Sequence, residues 1–174
     1  MFAFIKRIFG SNEADAQSAQ RRGKPRLNAR GGMRVLVVDD SNTIVAILRR
    51  MLQQNGYRVL EAEDAEKGVA IALAEQPDLI FLDIVLPGMS GFAALRKLRR
   101  DAATRQIPII MMSGNEQATE EFYAQRIGAD DFMKKPFSRA EVFARIEGLL
   151  DDSLLPKRAH VGAARRAAAA AASD

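Results

Sequence analysis

The sequence predicts an α/β protein built on a doubly wound parallel β-sheet with helices on both faces. Between residues 34 and 150, short apolar runs alternate with segments in which apolar residues recur at helical spacing. The first run, Val35 to Val38, is continuously apolar, which is typical of a strand buried on both faces. Reactive polar residues follow several of these runs, and the carboxyl ends of parallel strands are where such sheets form their sites.

The first half of this body contains two strand–helix pairs. A helix over 41–55 has its apolar residues at helical spacing and is followed by Gly56, a residue suited to a helix end. A helix over 65–75 stops before Pro77, because the residue preceding a proline avoids helical geometry. The strands preceding these helices are predicted over 34–38 and 57–62.

The second half contains three more pairs. A strand over 78–83 leads to a helix over 91–100 whose apolar residues share one face. Ser138 caps the last helix, and Glu141 three residues later completes a capping box. The remaining strands are predicted over 107–112 and 130–134, and the remaining helix over 117–127.

Two segments of different composition flank this body. Residues 1–9 form a short amphipathic pattern, with Lys6 and Arg7 opposite an apolar arc, and residues 11–33 are polar, basic and without periodicity. We expect residues 1–33 to be an amphipathic helix followed by a disordered basic arm. Residues 151–174, rich in alanine and arginine, are expected to form a flexible tail, and residues 34–150 the folded domain.

Composition excludes several classes of chemistry. The chain has 174 residues and no cysteine, so it has no disulfide framework and no thiolate site. His160 is the only histidine, which argues against a histidine-based triad or zinc site. No apolar run approaches the roughly 20 residues of a membrane span, and we expect a cytoplasmic protein.

The net charge of +4 is concentrated in the N-terminal arm. Seven basic and two acidic side chains lie among residues 1–33, whereas acidic residues slightly outnumber basic ones over 34–150. This asymmetry indicates either an anionic partner for the arm or a solvated leader.

Five polar side chains at predicted strand ends suggest one site. Asp39 and Asp40 follow the first strand, Asp83 ends the third, Ser113 follows the fourth and Lys135 follows the fifth. Neighbouring carboxylates repel one another, and a hard cation such as Mg²⁺ removes that repulsion. A carboxylate can also act as a nucleophile toward a phosphoryl group, with a cation, an ammonium and a hydroxyl stabilising the charge on its oxygens. The sequence therefore predicts a site for a divalent cation and a phosphoryl group.

Four stretches resemble the receiver domain of bacterial two-component response regulators, and especially the single-domain, CheY-like chemotaxis regulators. They are VLVVDDS at 35–41, PDLIFLDIVLPGMSG at 77–91, IPIIMMSG at 107–114 and GADDFMKKPF at 128–137. The resemblance covers about two-thirds of the chain. It implies a flavodoxin-like sheet with strand order 2-1-3-4-5, five helices and a cis Lys135–Pro136 bond.

The resemblance also implies roles for the site residues. Asp83 would accept a phosphoryl group from a histidine kinase or phosphotransfer protein, assisted by Ser113 and Lys135. Asp40 would bind Mg²⁺ directly and Asp39 more through water. Asp83 and the backbone carbonyl of Val85 would complete the protein ligands. Such a protein is a phosphoacceptor acting on itself rather than an enzyme with a separate substrate.

Signalling would pass from Ser113 to Phe132, which occupies the aromatic switch position of the family. Phe132 stands where tyrosine is commoner, so a switch here would operate by packing without a hydroxyl. The surface formed by residues 115–150 would then change and dock an output protein. Chemotaxis or motility is the setting that the resemblance implies for this stand-alone regulator.

The arms leave three interpretations open. Residues 1–9 could make peripheral contact with a membrane or a partner. Alternatively, four arginines of the arm could bind cyclic di-GMP and control docking to a motor or another target, because an arginine-rich extension resembles that of some CheY-like cyclic di-GMP effectors. The third interpretation is a solvated linker, and binding of nucleic acid is not expected. The four arginines are Arg21, Arg22, Arg26 and Arg30.

Overall fold

A computed structural model describes residues 28–114 and 118–159 of the chain. Five parallel strands form one sheet in the order β2-β1-β3-β4-β5, as predicted. Five helices connect or follow the strands, and the Lys135–Pro136 bond is cis, also as predicted. The strands are β1 Arg34–Val38, β2 Arg58–Ala62, β3 Leu79–Asp83, β4 Ile109–Ser113 and β5 Asp131–Lys134. The helices are α1 Asn42–Gln53, α2 Ala65–Glu75, α3 Gly91–Arg100, α4 Ala118–Arg126 and α5 Arg139–Leu149.

The predicted boundaries are wrong by one or two residues in several elements, for local reasons. Ser41, included in the predicted first helix, is its N-cap, and its hydroxyl accepts a hydrogen bond from Ile44 N. The fourth strand begins at Ile109 rather than at residue 107, directly after Pro108, which has no amide hydrogen for a ladder. It continues through Ser113, which therefore belongs to the sheet itself.

The sheet is buried on both faces, so the molecule has two cores. The first core lies between the sheet and helices α2, α3 and α4, and the second between the sheet and helices α1 and α5. Successive residues of a strand alternate between the cores: Ile80 and Leu82 of β3 face the first, and Leu79 and Phe81 face the second. This arrangement explains why the three central strands are almost entirely apolar, whereas the edge strands β2 and β5 carry charged residues. No helix within the described residues is long and apolar enough to cross a membrane.

The disorder predicted for residues 11–33 is wrong for residues 28–33, the part that the structure describes. Ala29 and Met33 are buried in the second core. Gly32 N donates to Gly56 O at 3.0 Å, which fixes this segment beside the start of β2. The packing of Ala29 and Met33 was not predictable from the local sequence, because two apolar residues in a polar stretch give no periodic signal.

The flexible tail predicted over 151–174 is likewise wrong for residues 151–159. This segment, called the strap below, turns back after α5: the Asp151 carboxylate accepts hydrogen bonds from Ser153 N and Leu155 N. Lys157 N then donates to Leu149 O at 2.8 Å. The strap also meets the N-terminal segment, since Arg30 N donates to Leu154 O at 2.9 Å.

The strap ends on a fully buried carboxylate, Asp130. One carboxylate oxygen, Oδ1, accepts from Ala159 N at 2.9 Å and lies 3.3 Å from Arg158 Nε. The other, Oδ2, lies 2.7 Å from Arg99 Nη2 and accepts from Ile109 N at 2.9 Å. Burial lowers the pKa of Arg99 to about 10, although Asp130 opposes this shift. Four donors therefore satisfy one buried charge and join the strap, α3 and β4 at the start of β5.

We expect Arg158→Ala to lower the free energy of unfolding by about 1–3 kcal/mol, because it removes one donor from a buried carboxylate. Lys157→Ala is the matched control: Lys157 pairs with Asp151 at 3.5 Å in an exposed position, and its loss should cost less than about 0.5 kcal/mol. Urea denaturation of the full-length chain measures both. Equal small effects would show that the strap adds no stability.

Candidate functional site

Three carboxylates meet at the carboxyl edge of the sheet. Asp39 and Asp40 follow β1 and Asp83 ends β3, and the closest ligand oxygens of the three lie within 4.8 Å of one another. Asp39 and Asp83 are buried, whereas Asp40 is exposed. The strand pairing Val38↔Leu82 produces this convergence, because it places the ends of β1 and β3 side by side.

Alternation along the strands divides the predicted site residues between the two faces of the sheet. Asp83 continues the series of β3 residues that face the second core. Ser113 continues the series Ile109 and Met111 of β4, which face the first core, and Phe132 of β5 also lies in the first core. Asp83 and the predicted switch residues therefore lie at the same edge of the sheet, although alternation assigns them to opposite faces of their strands.

Lys135 supplies the positive charge of the cluster. Its Nζ lies 2.6 Å from Asp39 Oδ2 and 3.1 Å from Asp83 Oδ2. Lys135 N donates to Ser113 O at 2.7 Å, which fixes the backbone beyond the end of β5. Beyond its ion pair with Lys135, the buried Oδ2 atom of Asp39 has no hydrogen-bond partner among the described residues.

The electrostatic balance of the cluster is incomplete. Burial raises the pKa of Asp83, and the charge of Asp39 raises it further, while Lys135 and a hydrogen bond from Val85 N oppose the shift. Burial acts to lower the pKa of Lys135, but the two carboxylates outweigh burial, and the net shift is upward. One ammonium is thus shared between two buried carboxylates, and Asp40 adds a third negative charge nearby.

The donor set of this cluster fits a hard divalent cation. All three side chains offer carboxylate oxygens, the ligand type that Mg²⁺ prefers, and Asp40 opens the cluster to solvent. The single ammonium of Lys135 is shared between Asp39 Oδ2 and Asp83 Oδ2, so three carboxylates face one positive charge and a divalent cation would reduce the excess. Val85 N donates a hydrogen bond to Asp83. Binding of Mg²⁺ by the backbone carbonyl of Val85 stays a prediction.

The predicted switch residues lie side by side under α4. Ser113 is fully buried, and its hydroxyl donates to Glu120 Oε2 at 2.5 Å. Phe132 is 3% exposed and packs in the first core together with Ala124 of α4. Their roles in switching stay predictions. Glu120 was not identified from the sequence. Two signals could have identified it: alternation along β4 directs Ser113 toward the first core, and Glu120 lies in the first turn of the helix that follows.

Gly91 is a second site residue that the sequence analysis did not single out. A Cβ at this position would lie 1.9 Å from Asp83 O and 2.8 Å from its carbonyl carbon. Gly91 N donates to Ile84 O at 2.9 Å. The first residue of α3 therefore packs directly on the backbone that carries Asp83, and only glycine allows this approach.

The predicted arm functions are almost entirely outside the described residues. Arg21, Arg22, Arg26 and the amphipathic residues 1–9 are not described. Arg30 is described and exposed; its backbone N–H donates to Leu154 O and its carbonyl oxygen accepts from Met33 N. Binding of cyclic di-GMP and contact with a membrane stay predictions.

Comparison with known proteins identifies the family of this fold and site. The family model for the response regulator receiver domain matches residues 35–147. The chain therefore belongs to the response regulator receiver family, as the sequence motifs indicated.

The similar curated proteins differ in length. Protein PilH of Pseudomonas aeruginosa is 41% identical over 117 residues, which cover 67% of this chain and 97% of PilH. The phosphate regulon transcriptional regulatory protein PhoB of the same species is 40% identical over 119 residues, 68% of this chain and 52% of PhoB. The chain thus spans nearly all of PilH but about half of PhoB.

Solved structures show the same fold. The chemotaxis protein CheY4 of Vibrio cholerae matches with a TM-score of 0.64 and 27% identity, over 67% of this chain and 98% of CheY4. The receiver domain of the sensor histidine kinase PA1611 of P. aeruginosa matches with a TM-score of 0.62 and 32% identity, over 67% of this chain and 95% of that domain. That structure has a magnesium ion coordinated in its active site cleft.

We expect Gly91→Ala to lower the free energy of unfolding by about 1–3 kcal/mol, because the added methyl group overpacks the Asp83 backbone. Gly148→Ala in α5 is the matched control: a Cβ there meets nothing within 4 Å, and alanine should stabilise this helix by up to about 1 kcal/mol. Thermal unfolding of both variants tests the contrast. Stabilisation by both substitutions would show that α3 does not need glycine at this approach.

Mg²⁺ should stabilise the folded chain, by about 2.7 kcal/mol when its concentration is 100 times its dissociation constant. Because the folded-state pKa of Asp83 is raised, the proton competes with Mg²⁺ at a higher pH than at an ordinary aspartate. Without Mg²⁺, ionisation of Asp83 costs stability, so its contribution falls as the pH rises from about 3.8 through the raised pKa.

Thermal unfolding with and without MgCl₂ across this pH range, beside Asp83→Asn, measures both effects. The difference between wild type and Asp83→Asn isolates the titration of Asp83 from that of other groups. An Mg²⁺ stabilisation that is equal in the two proteins would place the cation elsewhere.

Proposed function

We propose that this chain is a response regulator that accepts a phosphoryl group on Asp83 and signals by protein–protein contact. The observation that supports this proposal most strongly is the position of Asp83, a buried carboxylate 3.1 Å from Lys135 Nζ and grouped with Asp39 and Asp40. Membership of the receiver family supports the same chemistry. The donor is the phosphohistidine of a histidine kinase or phosphotransfer protein.

The transfer is a nucleophilic displacement at phosphorus. An ionised oxygen of Asp83 forms the new P–O bond while the P–N bond to the donor histidine breaks, and the imidazole leaves with the bonding electron pair. Lys135 lies where it can neutralise charge on the phosphoryl oxygens.

Asp39, Asp40 and Asp83 would hold Mg²⁺ during this reaction. When bound, the cation would supply positive charge for the phosphoryl oxygens in a cluster that Lys135 alone does not balance. The magnesium ion in the cleft of the PA1611 receiver domain supports this assignment, as does the excess of three carboxylates over one ammonium in the cluster. The chemistry is confined to the protein's own aspartate, so the chain is a phosphoacceptor and not an enzyme with a separate substrate.

The phosphorylated state is read on the surface formed by residues 115–150. Within this range, α4 presents Phe122, which is 63% exposed, and Tyr123, which is 37% exposed. Arg126 lies above the Phe122 ring, with its guanidinium carbon 5.9 Å from the ring centroid. Exposed aromatic and arginine side chains are typical of protein-binding surfaces, and an output protein docks here. The likeness to the chemotaxis protein CheY4 supports a setting in chemotaxis or motility, in the cytoplasm.

Incubation of the full-length chain with acetyl phosphate and MgCl₂ tests the proposal. We expect the intact mass to increase by one phosphoryl group, and the modification to be lost on removal of Mg²⁺ or in Asp83→Asn. Lys135→Ala should lower the rate by about 10²-fold or more, because it removes the ammonium beside the acceptor.

Asp78→Asn is a matched control for Asp83→Asn. Asp78 accepts a hydrogen bond from Arg34 N at the opposite end of the same strand, outside the acidic cluster, so its substitution should leave phosphorylation intact. Absence of modification in the wild-type chain would indicate instead an interaction scaffold that never accepts phosphate.

A further inference from the structure

The hydroxyl of Ser113 is engaged by a side chain that the mechanism above does not use. Ser113 Oγ donates to Glu120 Oε2 at 2.5 Å, at the short end of the range for an O–H donor and a carboxylate acceptor. Ser113 is fully buried and Glu120 is partly buried, so water competes weakly for this contact. The hydrogen bond links the end of β4 to the first turn of α4.

The fold directs both side chains toward each other. Ser113 continues the β4 residues that face the first core, which α4 covers. Ala124, four residues after Glu120, is fully buried in that core, and residues four apart share one face of a helix. Glu120 is therefore on the side of α4 that faces the sheet.

This contact conflicts with the role that the family resemblance implies for Ser113, which is to assist phosphorylation of Asp83. A serine hydroxyl carries one proton, which is donated to one acceptor at a time. While Glu120 accepts that proton, the hydroxyl does not donate it to a phosphoryl oxygen on Asp83. A phosphoryl group carries about −1.5 to −2 charges and three acceptor oxygens, so it competes with a single carboxylate for the same donor.

We infer that Glu120 is a positioning residue that holds Ser113 in its resting orientation and opposes phosphorylation until the phosphoryl group takes the hydroxyl. This inference rests on the proposed function. When the Ser113 hydroxyl turns from Glu120 to a phosphoryl oxygen, the hydrogen bond between Glu120 and the end of β4 is lost. Phe122 of the proposed docking surface is two residues further along the same helix. Loss of the contact between Glu120 and Ser113 therefore releases α4 from the end of β4 and changes the position of Phe122.

Initial rates of phosphorylation by acetyl phosphate in the full-length chain test the inference. We expect Glu120→Ala to react faster than wild type, on the order of fivefold, the effect of losing one competing hydrogen bond. Glu120→Gln should fall between the two, because its amide oxygen still accepts from Ser113 without the charge. Glu121→Ala, the matched control, makes the same charge change one residue further along α4 and should leave the rate unchanged.

A second comparison distinguishes this role from a general effect of charge or helix stability. Ser113→Ala should react more slowly than wild type, and adding Glu120→Ala to it should change nothing further, because the hydroxyl on which Glu120 acts is gone. Acceleration by Glu120→Ala that persists without Ser113, or that equals the effect of Glu121→Ala, would overturn the inference alone. Failure of the wild-type chain to react at all would overturn the proposed function, and the inference with it.

Discussion

The structure depends on the burial of negative charge at one edge of a sheet that is otherwise apolar on both faces. Asp39 follows β1 and Asp83 ends the adjacent strand β3. The parallel pairing of these strands holds the two buried carboxylates close together. Charged groups are excluded from such an interior unless they are paired, and here one ammonium, that of Lys135, serves both carboxylates. The position of Lys135 after β5, the backbone donors of Ser41 and Val85 and the close packing of α3 all contribute to holding this arrangement.

The opposite end of the sheet shows how the same fold buries a carboxylate for stability alone. Asp130 receives two arginines and two backbone amides, so both of its oxygens have two donors. At the functional edge, Asp39 Oδ2 has an ion pair and no hydrogen bond. A buried carboxylate with all its hydrogen bonds, such as that of Asp130, holds neighbouring elements in place. A buried carboxylate with fewer partners, such as that of Asp39, can still accept a cation or a further donor. The number of hydrogen-bond donors therefore separates Asp130 from the carboxylates of the proposed phosphorylation site more clearly than burial does.

The strand-end residues and the fold were predictable from the sequence because both follow from local patterns. Continuous apolar runs indicate strands that are buried on both faces. The residue after each run lies at the carboxyl edge of a parallel sheet, whatever the conformation of the connecting loops. The packing of the strap was not predictable, because Arg158 and Asp130 are 28 residues apart and their residue types give no periodic signal. Glu120 was missed because the predicted strand ended at residue 112, which left Ser113 outside the strand, where alternation no longer assigns a side chain to a face.

The contact between Arg30 and Leu154 has a consequence for how the chain can be shortened. It joins the segment before β1 to the strap after α5, on the side of the domain where the strands begin and away from the edge that carries Asp83. Removal of either segment therefore deprives the other of a backbone hydrogen bond, and the two ends of the described domain depend on each other.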